Sequence, residues 1–581
     1  MSRFFNTPLW QMLRSSWLDI IKTYWVPALA TLFTTVMGII MTVTNAWESE
    51  WQTLSFLAGI LSTLIFGGVA LLNQDRVFTP ARITGRYLLG AVPVAYFVIL
   101  GNYYGLSSAA TGITFALLVA SSIFFLLCSA ELRRDSTSTT LWQFGLRTIS
   151  VAIIAAAVGV IGHLAASLAA VSIHHLFQIE MPDEVYASIA IIMFACIAPL
   201  IVIASISHVR TISRNAATGF SPLLLRLVQI VFTPILIAYF LILYAYLFKI
   251  LIQWELPQES VVLPVLVYTI VGVCTFVLVD PWRRANLHPT FSKLQTGILI
   301  SFLPLLVLYF FAIVDRIRIY GMTEPRYLTV CFGVWLLGVC AAYLYRRELT
   351  LRWIPITLSL LFLVAALPGV GAVASTIRSQ QAILINTLTN KSILVNGTLV
   401  QAQSTTDMAT RQHIESMTYL LLERRGLQDI ASQVGLPATS SEETVLDSIQ
   451  ASTGRSYDGN VKQPGTIVAD YTGYSDAISV TGYDEIFDVT SWPSPSFFSA
   501  ATIRFSTDGN TLTVQRDQKS PLSITFTQFP NPDSPTYDAE NEHLRVRVIP
   551  THLIAEKTND DVITIIRGMQ LRVLVDYKEQ P

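Results

Sequence analysis

Trp25-Val-Pro-Ala-Leu-Ala-Thr-Leu-Phe-Thr-Thr-Val-Met-Gly-Ile-Ile-Met-Thr-Val-Thr44 carries no charged residue over its whole length. As an α-helix it is about 30 Å long, the thickness of bilayer hydrocarbon. Lipid offers no hydrogen-bond partners, so such a run must be helical to pair its own amides. Working outward from it, ten more apolar runs lie near 53–72, 87–104, 109–130, 148–170, 186–207, 227–252, 260–280, 294–314, 327–345 and 352–373. The third of the eleven is the weakest, because Gly90, Pro93 and Gly101 interrupt it. Charged residues make up only 13% of the chain and hydrophobic ones 52%, against about 25% charged in soluble proteins. This excludes a disordered chain, a nucleic-acid binder and a plain cytosolic enzyme.

The loops orient the runs, because Lys and Arg concentrate in short cytoplasmic loops. Arg3, Arg14 and Lys22 precede the first run. Arg76, Arg82 and Arg86, then Arg133, Arg134 and Arg147, then Arg210, Arg214 and Arg226 follow in alternate loops. Arg283, Arg284 and Lys293, and finally Arg346, Arg347 and Arg352, complete that side. The intervening loops hold none until Arg316, Arg318 and Arg326. The pattern puts the N-terminus inside and, after eleven crossings, residues 376–581 outside the cytoplasm. Segment 1–24 reads as a cytoplasmic amphipathic helix, with Leu9, Leu13, Trp17, Ile20 and Tyr24 at helical spacing, or else as an extension of the first span. No cleavable signal peptide is evident.

The expected organisation is therefore an all-α transmembrane bundle over 25–375, followed by an exported, periplasmic, mostly antiparallel-β α+β domain over 376–581. Lys391–Gln401 predicts a hairpin on Asn396-Gly397. A helix is expected over Thr406–Arg425 with Gly426 as left-handed cap, and another from Ser440 with Glu443 closing a capping box. Leu544, Val546 and Val548 alternate with Arg545 and Arg547, and Leu571, Val573 and Val575 repeat the pattern. Ser506–Asn510 reads as a turn between two further strands. All five cysteines fall in the apolar runs, so the exported domain is expected to fold without disulfides.

Arg318-Ile-Tyr-Gly-Met-Thr-Glu-Pro-Arg-Tyr327 is the one break in the charge rule. Gly321 should stop the ninth helix. Thr323 is placed to cap the tenth, Glu324 favours its positive end, and Pro325 suits its first turn. Arg316, Arg318, Tyr320, Glu324, Arg326 and Tyr327 form the candidate ligand-binding set. Three readings stand: docking of the acidic exported domain, an anion site for lipid phosphate or an envelope glycan, and interfacial snorkelling. The segment also resembles a motif of an uncharacterised family of bacterial polytopic membrane proteins, Domain of Unknown Function 4153. Ser375-Thr-Ile-Arg-Ser-Gln-Gln381 and Tyr419-Leu-Leu-Leu-Glu-Arg-Arg-Gly426 look similar to the same family. The resemblance implies a bacterial inner-membrane protein and brings no reaction, cofactor or catalytic residue.

Other candidates are thin. His163 is the clear ionisable residue within hydrocarbon and reads as a helix-packing hydrogen bond, while Lys249 snorkels. Lack of buried Asp, Glu or Arg weighs against an ion-coupled transporter, though not against a lipid flippase. His174, His175, Glu180, Asp183 and Glu184 share a loop without standard zinc spacing, and His413, His543 and His552 are scattered. No hydrolase, kinase or redox motif appears, so no catalytic residue, metal or cofactor is assigned. Glu48 and Glu50 occupy the loop where lipid-linked glycosyltransferases place an acid, but that loop is short. The expected role is a non-enzymatic envelope sensor, scaffold or lipid- or glycan-handling protein. Its expected partners are membrane lipids and an envelope glycan or periplasmic protein, with no nucleic acid. Lipid or lipid-linked substrate transport is the second reading, and a membrane glycosyltransferase the third.

Overall fold

The computed structural model describes residues 23–577 except 48, 75–78, 107, 131, 133–137, 179–180, 216–221, 254–261, 286–288, 347–349, 401–407, 454–465, 471–484, 492–496, 501–502, 509–510, 517–521, 526–536, 542–543 and 558–562. The expected N-terminal amphipathic helix, Glu48, Glu180 and His543 lie outside the described residues. The chain divides into two compact units. The first is Met1–Ile383 together with Glu423–Arg425, and the second is Leu384–Leu422 with Gly426–Pro581. The first boundary falls inside the helix Ala372–Asn390, eight residues beyond the position read from composition.

The first unit is helical. Among the described residues ten helices are long and apolar enough to cross a membrane, which makes the chain a multi-pass membrane protein. They begin with Trp25–Val43, Glu50–Asn73, Pro80–Tyr104, Ala109–Ser129 and the 40-residue Ser138–Phe177. The third is continuous through Pro93, because a membrane helix tolerates the lost amide when neighbours pack around it. Gly101 of that helix lies against the buried Leu54. The sixth runs as Asp183–Ile191, a π-helical stretch Ile192–Ile197 and then Ala198–Asn215. The seventh repeats this with Pro222–Leu227, π-helical Val228–Phe232 and Thr233–Gln253. Each π stretch stands two residues before a proline, Pro199 or Pro234. A proline has no N–H for the carbonyl four residues back, and the ladder slips to i→i+5 bonds instead. Ala198 accordingly donates to the Met193 carbonyl and Thr233 to that of Val228. Val262–Arg284, Pro289–Tyr320 and Glu324–Tyr345 complete the ten.

The eleventh apolar run differs from expectation. Its helix, Trp353–Ala366, has 14 residues, about 21 Å and short of the hydrocarbon thickness. Extended backbone at Leu367 ends it and Gly369 follows at φ +77°. Its contacts nevertheless track the whole neighbouring helix. The Tyr343 hydroxyl donates to the Thr350 carbonyl, Trp335 Nε1 to Thr357 Oγ1 at 2.8 Å, and the Tyr327 hydroxyl to the Val370 carbonyl. The helix with its extended tail therefore reaches through the same depth as Tyr327–Tyr343. On its other face Ser359 and Ser121 exchange hydroxyl-to-carbonyl bonds at 2.9 Å, and Phe362 stacks on Phe124.

Buried acids correct the sequence reading. Asp280 is fully buried near the end of Val262–Arg284, held by Arg283 Nη2 at 2.9 Å and Arg284 Nε at 2.6 Å. Glu324 is buried as well. Asp280 escaped notice, and Glu324 was read for its place at the helix dipole and not for its burial, because each stands at a helix end, where composition alone looks like a solvated loop.

In the second unit Asn396 and Gly397 take φ of +51° and +78°, closing the expected hairpin between Leu394–Val395 and Thr398–Leu399. Met408–Glu423 ends with Arg425, rather than Gly426, in the left-handed conformation (φ +50°). The Gly426 amide donates to the Leu421 carbonyl, the six-to-one bond of a Schellman closure one residue earlier than expected. Glu442–Thr453 is capped by Ser441, whose hydroxyl accepts from the Thr444 amide, so the cap also shifts by one and Glu443 has no part in it. Glu442 instead accepts from the Leu427 and Gln428 amides.

Two antiparallel sheets follow. In one, Leu544–Lys557 pairs with Ile563–Tyr577 on one edge and with Tyr537–Glu540 and Thr466–Asp470 on the other, and Glu485–Ser491 adds beyond Ile563–Tyr577. Leu544, Val546 and Val548 are buried and Arg545 is exposed, as the alternation requires. The other sheet is a meander of Phe497–Ala500, Ile503–Asp508, Thr511–Arg516 and Leu522–Thr525.

Two outcomes follow. A Cβ on Gly59 would collide with Thr34 Oγ1 and press on its backbone, whereas one on Gly112 meets nothing within 4 Å. Gly59→Ala is expected to lower stability by about 1–3 kcal/mol and Gly112→Ala to be neutral or better, read as melting temperatures in nanodiscs. Arg547 clasps Asp538 at 2.7 and 2.8 Å and holds its carboxyl below the usual Asp range. The pair therefore stabilises above the ordinary Asp pKa, and the contribution fades as pH falls through the lowered one. Asp538→Asn should cost about 0.2–1 kcal/mol at pH 7, because the pair is exposed, and progressively less as pH falls below the ordinary Asp range.

Candidate functional site

The ninth helix, Pro289–Tyr320, stops where expected. Gly321 sits at φ +74° and its amide donates to the Ile317 carbonyl. A side chain there would collide with Ile383 and come within 2.8 Å of Gln380 Nε2, so glycine is required twice over, by φ and by space. The last carbonyls of a helix have no donors of their own. Here side chains supply them. Arg326 Nη1 donates to the carbonyls of Gly321 at 2.7 Å and Tyr320 at 3.2 Å, and its guanidinium lies 5.5 Å over the Tyr320 ring. Gln380 Nε2 donates to the carbonyls of Tyr320 and Met322, both at 3.1 Å. The Met322 amide donates to Ser379 Oγ at 2.8 Å.

The tenth helix, Glu324–Tyr345, starts three residues later. Thr323 stands at the N-cap with extended backbone, but its hydroxyl makes no capping bond. Glu324 is the first helical residue and Pro325 the second. The Glu324 carboxylate does more than face the helix dipole. Arg424 grips it with two donors, Nε at 2.5 Å from Oε1 and Nη2 at 3.4 Å from Oε2, in a pair with side chains only 11% and 5% exposed. Tyr327 is tied to Val370, and Arg378 donates to the nearby carbonyls of Gly369 and Ala374.

The short run Glu423–Arg425 is held by its neighbours in the first unit. The Glu423 carbonyl accepts from Ser108 Oγ, which also caps the helix Ala109–Ser129. Arg425 Nη1 donates to the Tyr103 carbonyl at 2.7 Å. Its Nη2 and Glu50 Oε1 lie around Gly105, each 3.2 Å from where a Cβ would be. Glu50 itself is an exposed residue at the start of Glu50–Asn73.

The six sequence-selected residues thus divide. Glu324, Arg326 and Tyr327 are consumed in closing and tying the hairpin. Tyr320 lends its carbonyl and its ring to the same closure. Arg316, one turn before Tyr320, lies near enough to Arg326 to act on it as a like charge. Arg318 is exposed and points from a different face. No hydrogen bond or ion pair to Arg316 or Arg318 is found among the described residues. Sequence reasoning missed Ser379, Gln380, Arg424 and Arg425 as partners. The signal was present, since all four lie inside the two other quoted motifs, Ser375–Gln381 and Tyr419–Gly426. Three stretches far apart in the chain meet at one hairpin.

Removing one member of a buried pair strands a charge. Arg424→Ala should destabilise the chain by about 3–5 kcal/mol. The double change Glu324→Gln with Arg424→Met should cost less than Arg424→Ala alone, both read as melting temperatures in nanodiscs.

A family model described as a domain of unknown function (DUF4153) matches residues 24–390. An uncharacterized protein of Pasteurella multocida (strain Pm70) is 34% identical over 108 residues, 18% of this chain and 17% of that protein. The chain thus aligns with less than a fifth of that relative. No solved structure matches.

Proposed function

The chain belongs to the DUF4153 family, and from that premise we propose that it is a bacterial inner-membrane protein with its N-terminus in the cytoplasm and its second unit in the periplasm. It serves the cell envelope without catalysis, as a sensor, scaffold or lipid- or glycan-handling component. The orientation is supported by the run of cationic loops on alternate sides, with Trp353–Ala366 and its extended tail as the eleventh crossing. The second unit is the recognition module.

One observation carries the reading: three separated motifs converge on the hairpin Tyr320–Glu324. The polypeptide leaves Met408–Glu423 and re-enters the second unit at Gly426, and between them Arg424 holds the buried Glu324. A signal carried along the chain therefore meets the ends of the ninth and tenth helices. Arg316 and Arg318, not spent on the hairpin, face the phosphates of outer-leaflet headgroups, with the Tyr320 ring beside them. An ion pair and a set of carbonyl caps need no substrate to complete them, and this favours a mechanical or recognition role over transport. Glu50 beside Arg425 is better explained as part of the same closure than as a glycosyltransferase base.

Alkaline phosphatase fused after Pro581 is expected to be active in a bacterial host and green fluorescent protein at the same place dark. The reverse pattern overturns the orientation. Arg316→Gln with Arg318→Gln is expected to lower co-purified anionic phospholipid several-fold without changing the melting temperature, while unchanged lipid removes the headgroup role.

A further inference from the structure

The helix Pro80–Tyr104 ends where Glu50–Asn73 begins, for Gly101 near the close of one lies against Leu54 near the start of the other. These ends stand together at one face of the membrane-spanning helices. Trp47, Trp51 and Tyr103 are 44%, 61% and 64% exposed there. Exposed Trp and Tyr at span ends are the aromatic rim that sits at headgroup level.

Two opposite charges meet at this rim across Gly105. Glu50 Oε1 and Arg425 Nη2 are each 3.2 Å from the point where a Gly105 Cβ would stand, so they are no more than twice that apart. A side chain at 105 would narrow the gap, and φ of +81° also asks for glycine. The polar groups around the gap are already spent. The Gly105 amide donates to the Gly101 carbonyl, and the Gly105 carbonyl accepts from Thr111 Oγ1 at 2.7 Å. Ser108 Oγ donates to the Glu423 carbonyl, and Arg425 Nη1 to that of Tyr103. What is left over is the Glu50 carboxylate with Nε and Nη2 of Arg425. Among the described residues these atoms make no hydrogen bond or ion pair, with each other or with a third group. Both side chains are exposed, so the gap is open to the lipid headgroup layer.

We propose that this gap binds the headgroup of phosphatidylethanolamine. The phosphate lies on Arg425, which offers it two remaining donor nitrogens. The ammonium lies on Glu50, which accepts its N–H. The head carries both charges two carbons apart, and so joins two side chains that do not reach each other. Phosphatidylglycerol brings no cation for Glu50, and phosphatidylcholine brings a cation without an N–H to donate. The aromatic rim makes the bilayer, and not a soluble phosphoamine, the source. The site requires neither a particular side of the membrane nor Arg316 and Arg318.

The full chain in phosphatidylcholine nanodiscs is irradiated with a diazirine phospholipid bearing an ethanolamine, glycerol or choline head, and labelled peptides are mapped by mass spectrometry. The ethanolamine probe is expected to label 47–53 and 99–105 about fivefold more than either other probe, the yield of one exposed charged contact. Glu50→Gln should abolish that preference, and Glu50→Lys should turn it toward the glycerol head, whose phosphate then lies between two cations. Labelling near 316–320 reports the other arginines separately. Equal labelling by the three heads is the result if Glu50 and Arg425 simply close on each other, and it overturns the site. So does preference for another head on the unaltered chain, or an ethanolamine preference that survives Glu50→Gln. Loss of the labelling to excess soluble glycerophosphoethanolamine overturns the bilayer as the source. The comparison among heads on the unaltered chain decides the matter even where a variant fails to fold.

Discussion

A helix that ends against protein leaves its last carbonyls with no donor of their own, and neighbouring side chains must supply what water would otherwise give. The ninth helix ends at Tyr320 under this constraint. Its terminal carbonyls are met by Arg326 from two turns ahead in the chain and by Gln380 from sixty residues on. Ser379 accepts the neighbouring amide. The hairpin is therefore unfinished until Ala372–Asn390 has folded beside it. That requirement explains why Gly321 admits no side chain, since the space a Cβ would take is filled by the residues that complete the turn.

The Glu324–Arg424 pair adds a second long-range condition. A carboxylate at a helix start is favoured by the dipole, but a buried one also needs a counter-charge. Arg424 provides it through two donors. Next to it, Arg425 accepts a left-handed backbone that a non-glycine residue adopts only at some cost. Its guanidinium bond to Tyr103 helps to offset that cost. Strain and compensation in adjacent residues are what is expected where a chain must pass through a fixed point.

Local chemistry was legible in the sequence and remote partnership was not. The apolar runs, the Gly321 stop and the Asn396-Gly397 turn each depend on residues that sit together in the chain, and each was readable. The helix caps slipped by one residue, to Ser441 and Arg425: Ser440 and Ser441 are alike by type, while Gly426 is the better left-handed residue by type and hydrogen bonding puts Arg425 there instead. The arginine set read as one cluster because charge counting ignores direction. Arg326 turns to carbonyls, while Arg316 and Arg318, two residues apart, occupy different faces. Arg424 could not be matched to Glu324 from one sequence, since nothing local marks a partner a hundred residues away. Asp280 was passed over for the same reason that Arg283 and Arg284 looked like loop cations: the ion pairs bury the acid and leave its partners half exposed.

The helix Ser138–Phe177 has a consequence of a different kind. Its lipid-facing apolar side chains run from Ile149 to Ile173, about 37 Å along the axis, against a hydrocarbon layer of about 30 Å. Either the helix leans or the surrounding lipid stretches to cover it. The molecule therefore carries its own gauge of bilayer thickness: passing between thin and thick membrane changes either the lean of that one rod or the stretch of the lipid around it.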